Sequence, residues 1–139
     1  MPPGVSSLEH TADTGLEVRG ASLAECLARA AAGLFSLMFA VPAPAAARRR
    51  LRVQLEAESP EGLMVAWLEE LLYRSEVGGV VFTEFEVQAS SRRLRADVRG
   101  VPLAPEIESA GPAVKGVTWH ALRVERRRDG WRARVILDV

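Results

Sequence analysis

The chain has 139 residues and a mass of 15.1 kDa, the size of one ordinary domain, and such a globule buries roughly two-thirds of the surface its unfolded chain exposes. With 48% apolar and 26% charged residues the composition is that of a folded protein, which excludes disorder. The 18 basic and 18 acidic residues balance, which excludes a globally basic nucleic-acid binder, and the single cysteine, Cys26, excludes an intrachain disulfide or a cysteine-rich zinc module and suits a reducing cytoplasm.

The charge is unevenly spread. Residues 51–91 carry a net −6 and residues 92–139 a net +5. Such blocks either form opposed surface fields or neutralise one another across the fold. Asn is absent and every basic residue but one is Arg, which makes Lys115 conspicuous. The uncharged run Ala30–Ala47 is largely alanine, is broken by Pro42 and Pro44, and has no Lys or Arg in residues 1–18 before it. It reads as neither a spanning helix nor a signal peptide.

After the Asp13-Thr14-Gly15 turn, Leu16–Arg19 is a short strand candidate. Ser22 and Glu25 form a capping box, and Leu23, Leu27, Ala30, Leu34 and Met38 recur at helical spacing to about Phe39. Val41–Ala47 connects this helix to a strand in which Leu51, Val53, Leu55 and Ala57 alternate with polar residues. Ser59-Pro60 opens a second helix over 60–75, with Leu63, Met64, Trp67, Leu68, Leu71 and Leu72 to bury and Glu69, Glu70 and Arg74 opposite. Four strands follow: 80–89, 93–98, 114–124 and 131–137. Asp129-Gly130 is the strongest hairpin signal in the chain. As a two-residue loop it sets Val124 opposite Val135 and Leu122 opposite Leu137, with Trp119, Ala121, Arg123, Ile136 and Asp138 on the other face. The expected fold is α+β: a single domain over 1–139, a mixed or antiparallel sheet with two amphipathic helices packed on it, and a C-terminal β-hairpin.

Three groups of residues could carry chemistry. His10 and Asp13 lie three apart in a turn-rich segment, where Asp before Thr-Gly is also ordinary turn chemistry. Asp138 sits at the far end of the sequence beside Val139, whose α-carboxylate adds an anion if the chain ends there. Carboxylates brought together there need a cation, and hard oxygen donors suit Ca²⁺, Mg²⁺ or Mn²⁺ rather than Zn²⁺. The third group is Val114-Lys115-Gly116 with Thr118-Trp119-His120. His120 has the opposite strand parity to Lys115, so a regular strand cannot aim both at one ligand. On the hairpin register above, Lys115 stands six residues from the partner of Asp138, about 20 Å away, and the two should touch different parts of a partner. Cys26 has no base at helical spacing and reads as a buried small side chain. Catalytic-triad, Walker, dinucleotide-binding and metalloprotease signatures are missing.

Taken in order, these pieces resemble the archease family. The residues that carry the resemblance are Glu9-His10-Thr11-Ala12-Asp13 with Gly15, Ser22-Leu23 through Ala32-Gly33-Leu34-Phe35, Trp67 through Tyr73, Val81-Phe82, Val114-Lys115, Thr118-Trp119-His120 and Asp138-Val139. The resemblance implies a small α+β protein that is not an enzyme. It implies a chaperone-like cofactor of an RtcB-type RNA-splicing ligase that promotes ligase guanylylation and multiple turnover in tRNA splicing and RNA repair, and that meets RNA only indirectly, through the ligase. It implies a divalent metal site, calcium among the candidates, at Asp13, Asp138 and Val139, with His10 as an outer partner. It marks Lys115 as a contact to ligase or phosphate and His120 as a candidate beside it. The chain departs from the family at Glu106–Ser109, where members often carry a histidine, and at Trp119, where the family has tyrosine. The rival expectations are a small metal-dependent phosphoester hydrolase with His10 as base, and an RNA-binding adaptor using the arginine-rich strands 92–99 and 123–134.

Overall fold

The computed structural model describes residues 1–8, 13–40, 47 and 49–139. In chain order the elements are β1 (Val5–Ser7), β2 (Thr14–Gly20), α1 (Leu23–Met38), β3 (Arg49–Glu56), α2 (Pro60–Gly78), β4 (Val80–Ala89), β5 (Arg93–Pro102), β6 (Gly116–Arg127) and β7 (Gly130–Asp138). The α+β class and the C-terminal hairpin stand as expected. The expected sheet is in fact two antiparallel sheets, one of order β1-β2-β7-β6 and one of order β3-β5-β4. Both helices touch both sheets: α1 packs on β2 and β4, and α2 on β6, β4 and β3. The split escapes sequence reading because alternation shows which face of a strand is buried, not which strand it pairs with. β1 has no counterpart among the expected strands. It is three residues long, and only Val5, opposite Val18, is buried.

Each helix begins where its cap predicts. The Ser22 hydroxyl accepts the N–H of Glu25 at 3.1 Å while the Glu25 carboxylate accepts the N–H of Ala21 at 3.0 Å, a reciprocal pairing at the first turn of α1. Ser59 accepts the N–H of Gly62 at 3.1 Å ahead of α2, whose first turn holds Pro60. α2 ends at Gly79, in the left-handed region at φ +60°.

The two helices are tied by Trp67, which is fully buried and donates its indole N–H to the carbonyl of Leu27 at 2.8 Å. Phe35 meets the rings of Phe82 and Phe85, and Trp67 also meets Phe85, at centroid separations of 5.6, 6.0 and 6.4 Å. One continuous apolar cluster runs from these rings to Leu16, Val18, Val135 and Leu137 on β2 and β7. Truncating a buried aromatic at its centre costs about 3–5 kcal/mol. Cys26 lies wholly inside this cluster, and burial pushes its thiol up from an ordinary 9.0 to about 12.

The segment between β5 and β6 closes the C-terminal end of α1. Ala110 donates its N–H to the carbonyl of Met38 at 2.8 Å, Ala40 donates to Glu108 at 2.9 Å, and Phe39 bridges to Ser109. These bonds satisfy backbone groups that a helix end leaves open. The stretch Glu106–Ser109 therefore has a backbone role that requires no histidine.

Candidate functional site at the open end of the four-stranded sheet

The central strands β2 and β7 pair from Gly20 with Trp131 to Thr14 with Leu137. Asp13 and Asp138 are the next residues along the ladder, so it brings these two to the same end of the sheet. Both are exposed, as is Val139. On its other side Asp138 pairs with Gly116, and its carbonyl accepts the N–H of Lys115 at 2.7 Å. His10, with the rest of Glu9–Ala12, lies outside the described residues.

The hairpin register differs from expectation. Arg127 pairs with Gly130, so the two-residue loop is Arg128-Asp129 and Gly130 follows it at φ +133°. A Cβ there would stand 2.3 Å from the carbonyl oxygen of Gly20, so the glycine serves close packing as well as the turn. Val124 consequently faces Ala133, not Val135. A bulge between Thr118 and Arg123 then shifts the register again, so Leu137 faces Val117 rather than Leu122. Together these shifts move Lys115 from about 20 Å away to direct backbone contact with Asp138. The bulge carries Ala121 at φ +53°, the one non-glycine residue with positive φ among those described, flanked by exposed His120 and Trp119. The strand is thus not regular between Lys115 and His120, and the parity argument separating them does not apply.

Parity still sorts the rest of β7. Ala133, Val135 and Leu137 point to the core, while Arg132, Arg134, Ile136 and Asp138 belong to the outer face. Ile136 is nonetheless only 5% exposed, and its neighbour Thr118 has a buried hydroxyl with no hydrogen-bond partner among the described residues. Lys115 has the opposite parity. It lines a cleft of about 540 Å³ with Glu69, Leu72, Tyr73 and Leu103, on the helix side of the sheet.

Helical spacing places Glu69 on the solvent side of α2. Its carboxylate accepts the N–H of Val117 at 3.3 Å, on the free edge of β6 beside Lys115. Such a contact covers an otherwise open strand edge. No sequence signal points to it, because the two residues lie 48 apart.

Chemically, this end of the sheet offers hard carboxylate oxygens and one ammonium. Among the described residues, no three His, Cys, Asp or Glu side chains converge as a metal group. The donor types at Asp13, Asp138 and Val139 are all oxygen, which fits Ca²⁺, Mg²⁺ or Mn²⁺ and does not fit the N/S chemistry of zinc. No helix among the described residues is long and apolar enough to cross a membrane.

The fold and site define a small α+β protein of two antiparallel sheets joined by a helix pair, with a polar site where the ends of β2 and β7 meet. The profile of the Archease protein family (MTH1598/TM1083) matches residues 6–139. This chain belongs to the archease family. It is 34% identical to protein archease of Pyrococcus abyssi, covering 94% of this chain and 95% of that one, and 33% identical to protein archease of Methanopyrus kandleri, covering 95% and 96%. Among solved structures it is similar to protein 1598 of Methanobacterium thermoautotrophicum, with a TM-score of 0.81 and 28% identity over 98% of this chain and 99% of that one. It shares its fold with a Thermotoga maritima protein described as an archease and possible chaperone, with a TM-score of 0.65 and 20% identity over 96% of each chain.

Proposed function

We propose that this protein is a non-enzymatic, chaperone-like cofactor of an RtcB-type RNA-splicing ligase, acting in the cytoplasm and promoting guanylylation and turnover of the ligase in tRNA splicing and RNA repair. Membership of the archease family supports the class. The single observation that carries the mechanism is the pairing of Thr14 with Leu137, which makes Asp13 and Asp138 neighbours across the ladder.

On this reading Asp13 and Asp138, with the Val139 carboxylate where the chain ends, hold one divalent ion. When bound, such an ion neutralises phosphate charge, which nucleotidyl transfer requires. The protein's own contribution is to hold two carboxylates at the rim of a rigid ladder, exposed enough to enter another protein's active site. Lys115 adds an ammonium that can meet phosphate or an acidic ligase residue, and its backbone is locked to Asp138. His120 and Trp119 extend the same strand as exposed contacts. The reacting RNA ends are held by the ligase, not by this site.

Guanylylation of purified ligase at limiting divalent ion tests the reading. The protein should raise the labelled fraction, and Asp138→Asn should lose the effect. Equal labelling with and without the protein would overturn it.

A further inference from the structure

The outer face of the four-stranded sheet carries a second feature, away from the carboxylates. Cross-strand pairing aligns it in rows. Glu17, Arg134 and Arg123 form one row, Arg19, Arg132 and Glu125 the next, and Arg127 closes the hairpin end opposite Gly130. All belong to one face by parity, opposite the buried Val18, Val124, Ala133 and Val135. Five guanidiniums against two carboxylates leave a net +3 in a shallow groove of about 360 Å³.

The two acids offset only part of the positive charge. Arg127 pairs with Glu125 at 3.0 Å, but Arg134 stands 3.8 Å from Glu17, beyond hydrogen-bond reach, and its Nε is buried without a partner among the described residues. The five are all arginine, whose planar fork matches phosphate oxygens in pairs.

We propose that this face binds the phosphate backbone of single-stranded RNA directly. Successive rows on a strand lie about 6.6 Å apart, comparable with the repeat of phosphates along an extended strand. Trp131 is the one aromatic on β7 and is half-buried, so contact is to the backbone and independent of sequence. The rows run along β7 toward Asp138, four residues beyond Arg134 or about 13 Å, so a bound strand would lead to the carboxylate end of the same face. The choice of RNA over DNA rests on the ligase reading. The binding itself does not, and its test contains no ligase.

Fluorescence anisotropy of a labelled uridine 20-mer, titrated with the full chain alone in EDTA, tests it. Binding should weaken with salt at a log–log slope of about −2, as for some three phosphates on a single strand. Arg123→Ala with Arg132→Ala should flatten the slope by about 1.4 and weaken binding about tenfold or more at low salt. Glu17→Gln with Glu125→Gln should tighten it, which keeps the test sharp if the arginine variants fold poorly. Arg95→Ala, on the other sheet, should change nothing. No binding at 50 mM salt, or binding lost with Arg95→Ala but kept in the double variant, would overturn the proposal. Equal affinity for a poly-aspartate peptide or for DNA of the same length would overturn the assignment to RNA.

Discussion

The N–H of Lys115 donates to the carbonyl of Asp138 at 2.7 Å, which joins the chain's single lysine to the carboxylate end of the sheet. The two side chains leave that bond on opposite sides. Asp138 stays on the outer face, and Lys115 enters the cleft under α2 with Glu69 and Tyr73. One partner segment wrapped over this end of the sheet would meet both.

Alanine at either position leaves this backbone bond in place, so coupling between the two side chains runs through a partner segment that meets both. In a double-mutant cycle on ligase guanylylation, Lys115→Ala and Asp138→Ala should be non-additive by about 0.5–3 kcal/mol. Additivity within about 0.5 kcal/mol would show two independent contacts.

Binding of a divalent ion to the folded state alone must raise stability. Calcium or manganese at a hundred times its Kd should add about 2.7 kcal/mol, removed by chelation and absent in Asp13→Asn and Asp138→Asn. Thermal unfolding with and without EDTA reads this directly. A shift that persists in both variants would place the ion elsewhere.

The bulge holds Ala121 at φ +53°, where a Cβ is unfavourable. Ala121→Gly should therefore leave the fold intact and raise stability by about 0.5–1 kcal/mol in denaturant unfolding. If the same variant weakens ligase stimulation, the strained bulge sets the presentation of Trp119 and His120.

The Cys26 thiol is pushed up to about 12 by burial, with Arg29 opposing and Glu25 adding to the shift. In the unfolded chain the thiol ionises near its ordinary 9.0. The stability linked to this group is thus complete below pH 9 and falls as pH rises from there toward 12. Cys26→Ala should remove that part of the alkaline loss. At pH 8 the native thiol should resist alkylation and react once the chain is unfolded in denaturant.

The sequence displays the helices and most strands because their signals are local. Ser22 with Glu25 and Ser59 with Pro60 mark the helix starts within a turn, and the alternation of Leu94, Ala96 and Val98 marks β5. Pairing is not local. The Asp129-Gly130 signal located the hairpin but not its loop, since Arg128-Asp129 forms the turn and Gly130 is needed where its Cβ would strike Gly20. The bulge at Ala121 has no compositional mark at all, because alanine does not ordinarily take positive φ. These two shifts, which no local pattern marks, bring Lys115 to Asp138. The approach of Asp13 to Asp138 was legible only through family resemblance, and it follows physically from the β2–β7 ladder. Glu69 reaches Val117 across 48 residues, a distance over which no pattern survives.

On the proposed function, Asp13, placed across the ladder from Asp138, equips this protein to activate a partner ligase. Multiple-turnover RNA ligation by the purified ligase, with wild-type protein, with Asp13→Asn and with neither, measures it most directly. Turnover should be sustained with wild type and limited to a single round with the variant or without the protein. Turnover restored equally by Asp13→Asn, in a variant that folds as wild type does, would contradict it.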